Sequence, residues 1–385
     1  GDVTQGSLGD CWLLGALAVM ANREDLLRRV VSFSSPDKSL YSFSFYKFGT
    51  WCVPAIVVDD KIPVGQNGPL FASGKDPDET WVMLLEKAYA KLHGTYGALV
   101  GGWVNDALVD MTGGIPDTIF LQEEAAAIES GAFWERMLRM HTSGRYLMGC
   151  ARSTSGTREA DTGRGILQGH AYSVLDVRVH DGTQLFRVRN PWGCTEWKGA
   201  WSDSDPRWTP ELLAALEYTI ADDGTFWIAH EDFVTEFNKV YVCHLIDASW
   251  GKTAFKAAWR GVSAGGCVNN RDTWTNNHQF QLTVYEATEV VVSIQQPDPR
   301  QTGGKSVPIG VVILHAQPGV KTTRYAVVDG GQSDISNLRE LTLELALEPG
   351  TYNVMPFTFD AGQESEYFLT VHGSNTFKLA SLDGI

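Results

Sequence analysis

Three residues in this chain have the types and the order that thiol chemistry needs: Cys11, His170 and Asn190. Cys11 lies in Gln5-Gly6-Ser7-Leu8-Gly9-Asp10-Cys11-Trp12-Leu13-Leu14, at the junction between a glycine-punctuated loop and an apolar run that reads as a buried helix. A thiol at a helix N-terminus faces the positive end of the helix dipole, which favours the nucleophilic thiolate. The same stretch also suits a buried structural cysteine, the commoner fate of a free thiol. A catalytic thiol needs a base to take its proton, and the base needs a third group to fix its tautomer and orientation. Gln168-Gly169-His170-Ala171-Tyr172-Ser173-Val174 offers a histidine at the start of a strand-like segment. Phe186-Arg187-Val188-Arg189-Asn190-Pro191-Trp192-Gly193 ends a strand in an Asn-Pro turn. Taken singly, His170 also reads as a core histidine and Asn190 as a plain turn residue.

Cysteine, histidine and asparagine in this chain order, with the histidine roughly 160 residues after the cysteine, form the papain-type arrangement. Gln5 to Leu14, Gly169 to Leu175 and Asn190 to Asp203 (NPWGCTEWKGAWSD) together resemble the three signatures of the calpain family of cysteine proteases. Trp81 to Leu99, followed by Gly101-Gly102, is similar to the calpain core as well. The resemblance runs through the whole chain, more loosely after about Ile246. It implies an α+β papain-like two-lobed protease core followed by an antiparallel β-sandwich domain. It makes Cys11 the nucleophile and His170 the general base, later the acid that protonates the leaving amine. Asn190 would hold the His170 ring, and Trp192 would cover the bond between them. Gln5 and the Cys11 backbone N–H would form the oxyanion hole.

The resemblance also implies calcium. Calpain cores carry one site in each lobe, and hard carboxylate oxygens suit Ca²⁺. The matching side chains are Asp2 and Glu79 in the first lobe. In the second they are Glu196, Asp203 and Asp223, with the carbonyl of Ala221. The family pattern there ends in Asp-Gly-Glu-Phe-Trp, whereas this chain reads Asp223-Gly224-Thr225-Phe226-Trp227, one carboxylate short. In the family that glutamate also pairs with an arginine upstream of the position of Asp2.

Composition sets the outer bounds. The chain has 385 residues, enough for two or three domains, and 43% hydrophobic with 20% charged residues describes an ordinary globular composition. The formal charge of −15 disfavours non-specific nucleic-acid binding. The 6 cysteines are scattered without a CxxC pair, which argues against a zinc site or a disulfide framework and suits a reducing compartment. No apolar run approaches the ~20 residues of a membrane span, and no signal peptide is visible. Cytoplasmic residence is the expectation. Cys11 stands so close to Gly1 that a piece of a longer protein is expected too.

Three divisions follow. Residues 1–102 read mainly as helices, with strand-like runs at Tyr41 to Lys47 and Trp51 to Val58, a loop from Pro63 to Asp78, and a helix from Glu79 to Leu92. Gly101-Gly102 reads as a hinge. Residues 103–245 read as a β-rich lobe carrying His170 and Asn190, with a helix from Ala125 to Met140 and strands at Tyr146 to Ala151, Ala171 to Val179, Leu185 to Val188 and Thr225 to Ala229. Residues 246–385 show short β-rich runs separated by Gly, Pro and Asp, an antiparallel sandwich pattern. Trp259-Arg260 with Ser263-Ala264-Gly265-Gly266-Cys267 resembles the opening of the calpain sandwich domain. No EF-hand loop pattern occurs in the chain.

The expected function is therefore calcium-dependent intracellular endoproteolysis at limited, accessible sites of protein substrates. The alternative is a catalytically silent calpain-like docking module. Transglutaminase chemistry would want an aspartate where Asn190 stands. Membrane lipid or a regulatory protein is a possible partner of the sandwich, where the acidic loops at Asp329 and Asp334 have no specific spacing. Cys194 reads as ordinary packing or as a redox-sensitive neighbour of the cleft.

Overall fold

The computed structural model describes residues 3–66, 68–76, 78–154 and 160–384. They divide into two units, one of Gly1–Tyr46 with Trp51–Leu245, the other of Lys47–Thr50 with Ile246–Ile385. In the first unit the apolar run after Cys11 forms helix α1 (Cys11–Ala21), in which Trp12 to Met20 are all buried. A helix apolar on every side must be enclosed by its neighbours. Those neighbours are α2 (Glu24–Val30), α3 (Trp81–Leu92) and α4 (Val104–Thr112), which share a core of Leu13, Leu17, Val30, Leu85, Tyr89 and Leu108. The indole N–H of Trp12 donates to the Leu99 carbonyl at 2.8 Å, so even the one polar atom of that buried ring is paired.

Residues 1–102 hold more strand than expected. An antiparallel sheet of Val31–Ser35, Leu40–Phe43 and Ile56–Val58 lies between α2 and α3 in the chain. The run expected from Tyr41 to Lys47 breaks after Phe43, and Tyr46–Lys47 instead folds back on Thr50–Trp51. Phe48 and Gly49 both have positive φ, 45° and 79°, which makes the two-residue hairpin turn possible. The expected loop from Pro63 to Asp78 contains paired residues as well: Val64–Gly65 with Gly68–Pro69, and Ser73–Gly74 with Val3–Thr4 near the start of the chain.

The rest of the first unit is built on a six-stranded antiparallel sheet. Its order is Ile115–Phe120, Lys239–His244, Tyr146–Arg152, His170–His180, Thr183–Arg189, Thr225–Ala229. A second core forms against it from Trp134, Met137, Tyr172, Phe186, Phe226 and Phe233. The helix expected from Ala125 to Met140 is two helices, α5 (Ala125–Glu129) and α6 (Ala132–Thr142). Gly131 between them has φ +81°, a conformation that ends one helix and starts another in a new direction. Helices α7 (Pro210–Ala215) and α8 (His230–Glu236) complete this unit.

The second unit is a sandwich. One sheet has the order Gly251–Trp259, Ser365–Gly373, Thr288–Gln295, Glu340–Leu347. The other has Val327–Gln332, Ile309–His315, Gly350–Thr358, Phe280–Val284, Phe377–Ser381. All pairings are antiparallel, and alternate residues such as Tyr367, Leu369 and Val371 enter a core shared with Phe280, Leu282 and Val311 of the opposite sheet. The hairpin residue Lys47 counts with this unit, its ammonium in a buried ion pair with Asp298 at 2.6 Å.

Candidate active site

Cys11 is the first residue of α1 and is half-buried. The carbonyl of Asp10 accepts from the N–H groups of Leu13 and Leu14 at 2.9 and 3.1 Å, so the helix ladder begins here and Cys11 stands in the first turn, at the positive end of the helix. All six cysteines are free thiols. Cys150 differs from Cys11 in kind, since complete burial pushes its thiol well up and makes it inert.

His170 opens its strand and is 1% exposed. Its Nε2 lies 2.8 Å from Asn190 Oδ1. The orientation of the Asn190 amide is fixed twice over: Nδ2 donates to the Thr195 carbonyl at 2.9 Å, and Oδ1 also accepts the Trp192 N–H at 3.0 Å. A carbonyl oxygen only accepts, so Nε2 carries the proton and Nδ1 is left as the basic nitrogen of the neutral ring. The Trp192 ring lies against the imidazole with centroids 5.1 Å apart, and Tyr172 meets it edge-on at 5.0 Å. Asn190 is wholly buried, its N–H bonded to the Gly224 carbonyl at 2.8 Å. Gly224 has φ +83°, and a Cβ there would fall 2.6 Å from the Asn190 carbonyl, so only glycine permits this approach.

Two sets of contacts bring the helix and the sheet together. Helix α1 packs on the His170 strand, where Ser173 Oγ donates to the Gly15 carbonyl at 2.7 Å. The strap before Cys11 bonds to the turn after Asn190: the Gln5 N–H donates to the Pro191 carbonyl at 2.8 Å, and Arg189 Nη1 donates to the Val3 carbonyl at 2.6 Å. The Gln5 amide spends one proton on the Leu8 carbonyl at 2.6 Å. Gly6 runs so close to the chain opposite that an added Cβ would lie 2.2 Å from the Phe71 carbonyl oxygen. Gln5, Cys11, His170, Asn190 and Trp192 are thus carried by elements bonded to one another. Arg189 and Ser173 belong to this frame and escape sequence reasoning, although Arg189 directly precedes Asn190.

The acids fare unevenly. Asp2 lies outside the described residues. Glu79 is exposed just ahead of α3, its N–H on the Asp76 carbonyl at 3.1 Å. Glu196, Asp203 and Asp223 are neighbours. Glu196 Oε1 accepts from the N–H groups of Asp223 and Gly224 at 3.0 and 2.7 Å, and Asp223 Oδ1 accepts from Thr225 at 2.8 Å. Asp203 accepts from the Tyr218 hydroxyl, and from the Ala221 N–H at 3.1 Å. The Ala221 carbonyl accepts from Asp223 at 2.8 Å. Burial pushes the Glu196 and Asp203 carboxyls up, and the negative charge of the neighbouring acids pushes them further. Uncompensated negative charge of this kind fits a hard cation. The three carboxylates are not gathered into one cage, with ligand atoms all within 4.8 Å. Thr225 is buried and adds no carboxylate, its carbonyl accepting from Tyr218 at 2.9 Å. Cys194 is exposed, with the Thr195 hydroxyl 3.9 Å from its sulfur. Asp329 and Asp334 stand exposed in the sandwich with no metal-binding group of three formed around them among the described residues.

Comparison with known proteins matches residues 1–244 to the calpain family cysteine protease model and residues 255–372 to the model of calpain large subunit, domain III. The calpain-type cysteine protease DEK1 of Zea mays is 37% identical over 99% of this chain and 18% of its own length. Calpain-9 of Rattus norvegicus is 36% identical over 99% of this chain and 59% of its own, and a calpain of Schistosoma mansoni 35% identical over 99% and 55%. The chain spans about a fifth of the plant relative and under two thirds of the animal ones.

Proposed function

This chain belongs to the calpain family of cysteine proteases, and from that premise we propose that it acts as a calcium-dependent cytoplasmic endopeptidase that cuts protein substrates at limited, accessible sites. The observation that carries the reading is the buried bond from His170 Nε2 to Asn190 Oδ1, which makes Nδ1 the proton acceptor. In this mechanism Cys11 gives its proton to His170 Nδ1, and the thiolate adds to the scissile carbonyl carbon. The oxyanion takes hydrogen bonds from the Cys11 N–H and from the second amide proton of Gln5. His170 then returns the proton to the departing amine nitrogen as the C–N bond breaks, leaving a thioester on Cys11. Water, deprotonated by His170, hydrolyses the thioester and restores the thiol. Trp192 keeps bulk water from the His170–Asn190 bond. The two separate cores of the first unit support a two-lobed papain-like body, with the first core running past Gly101-Gly102 through α4, and with 246–385 as the sandwich domain.

Calcium would be held by Glu196, Asp203 and Asp223 with the Ala221 carbonyl, and by Glu79 and Asp2 in the other lobe. When bound it supplies positive charge that offsets the repulsion among these acids and fixes the loops that carry them. Thr225 leaves the second set one carboxylate short of the family pattern that the resemblance implies, which points to weaker calcium binding there. Regulatory proteins or lipid would meet the sandwich.

The test is cleavage of a disordered protein across a calcium titration, with Cys11→Ala as control. Calcium-dependent cleavage lost in that variant is expected. Cleavage indifferent to chelator would remove the calcium part of the reading. A folded chain that neither cleaves nor reacts at Cys11 with a thiol alkylator would be a docking module instead.

A further inference from the structure

Asp10 occupies the N-cap position of α1, where an aspartate ordinarily turns its carboxylate onto the helix amides, but here it makes no such bond. Its side chain is 0% exposed, and neither oxygen receives an N–H or O–H from a donor. What it meets is another carboxyl. Glu86 of α3 is 1% exposed and within hydrogen-bonding reach of Asp10, and both its oxygens lie 3.2 Å from the single N–H of Ala72. Two carboxylates cannot hydrogen-bond unless one keeps its proton, and two adjacent buried negative charges with one N–H between them are prohibitively costly.

We propose that Asp10 and Glu86 share one proton and act as a positioning pair for the Cys11 centre, an inference that rests on the protease reading above. Asp10 is the donor and Glu86 the acceptor. The chain Asp10 to Glu86 to Ala72 N–H joins the start of the nucleophile helix to residues 70–72. Those residues hold the Gln5 strap, since the Leu70 carbonyl accepts from the Ser7 N–H at 3.0 Å and from its hydroxyl at 2.7 Å, and the Phe71 carbonyl lies under Gly6. The pair therefore braces both oxyanion donors at once. It also keeps the residue beside Cys11 neutral, so that the positive end of α1 acts on the sulfur without an opposing charge.

The groups facing the pair agree with this. Burial pushes the Asp10 carboxyl up to about 10, with the Glu86 charge, the Glu86 bond and Cys11 adding to it. Burial also raises Glu86, against the bonds from Asp10 and Ala72. Tyr96, whose ring stacks on Phe71 at 4.2 Å, is pushed up to about 12 by burial and by Glu86.

Asp10→Asn tests the inference, because an amide is the neutral isostere of a protonated carboxyl. Folding of the parent must carry a proton onto Asp10, so its stability falls as pH rises from the unfolded aspartate value of 3.8 towards the folded value. The ratio of folding constants, variant over parent, should therefore climb about tenfold per pH unit between roughly pH 5 and 8. A flat ratio, or an Asp10→Asn chain that does not fold, overturns the shared proton. The second readout is the pH midpoint of Cys11 alkylation, followed by mass spectrometry of the Cys11 peptide. It should be the same in parent and variant. A midpoint about one unit or more lower in Asp10→Asn would mean that a charged Asp10 had been removed, and would overturn the inference. Stability is read without any peptide substrate. A flat ratio thus sinks the pair even in an active protease, whereas a linkage found where Cys11 reacts as an ordinary thiol keeps the shared proton and overturns the protease reading beneath it.

Discussion

Replacing Asn190 with alanine separates orientation of the base from every other part of the site. Asn190 makes three side-chain bonds, to His170 at 2.8 Å, to the Trp192 N–H at 3.0 Å and to the Thr195 carbonyl at 2.9 Å. The first bears on rate. His170 is buried, so the variant leaves its Nε2–H without the acceptor it had, and the deficit grows when the ring becomes an imidazolium whose bonds are charge-assisted. A hydrogen bond to a charged group contributes about 1.5–3 kcal/mol, which corresponds to roughly a 10- to 150-fold loss in turnover. The loss should fall on kcat and spare KM, because Asn190 lies behind His170 and is wholly buried. The other two bonds contribute about 0.5–1.5 kcal/mol each to stability, so the assay belongs well below the melting temperature of the variant. The measurement is the initial rate of cleavage of a disordered protein at saturating calcium, with melting curves in parallel. A folded Asn190→Ala enzyme within about threefold of the parent would refute the reasoning, because a base free to turn cannot match one held in place.

Gly6→Ala should lower both melting temperature and kcat/KM, since its Cβ would lie 2.2 Å from the Phe71 carbonyl and the Gln5 strap must shift to admit it; unchanged kinetics would detach the strap from catalysis. Glu196→Gln removes one of three repelling acids while its Oε1 keeps both backbone bonds, so stability in chelator should hold or rise and the gain on adding calcium should shrink; an undiminished gain would rule out Glu196 as a ligand. His230 packs among Phe133, Trp134 and Phe186, and burial lowers its pKa below the ordinary histidine value of 6.5. A depressed pKa means that the unfolded chain takes the proton first, so this group's contribution is full above about pH 6.5 and is lost as pH falls through the folded value. His230→Phe should therefore flatten the fall in melting temperature on acidification below that pH, and a slope equal to the parent's would count against it.

What could be read from the residues depended on how long a periodic signal runs. Helix α1 was legible because its apolar run continues for three turns, and the strands around His170, Asn190 and Thr225 because each runs for five residues or more and carries β-branched or aromatic side chains. The pairings before α3 are of two to five residues, too short to show a period, and depend on turns such as Phe48-Gly49. The break between α5 and α6 was hidden because Ser130-Gly131 is short and strong helix formers, Ala125-Ala126-Ala127 before it and Met137-Leu138 after it, stand on both sides. Strand Gly251–Trp259 went unread because its alanines carry little strand preference, yet it pairs along its whole length with Ser365–Gly373. In the site, residue types pointed to the thiol, the imidazole and the amide. They could not reveal that Asp10, which reads as a loop acid, is buried against Glu86, because burial of a charge is a property of the packed molecule.

The Trp192 ring, 5.1 Å from the His170 imidazole, has a consequence in spectroscopy. A neutral imidazole leaves an indole's excited state largely undisturbed, whereas an imidazolium quenches it, so the emission of this one tryptophan should track the charge on the base. Subtracting the spectrum of Trp192→Phe isolates it from the 12 other tryptophans among the chain's 13 (13 − 1 = 12). The catalytic proton would then be visible in the resting enzyme, by light alone, before any substrate is added.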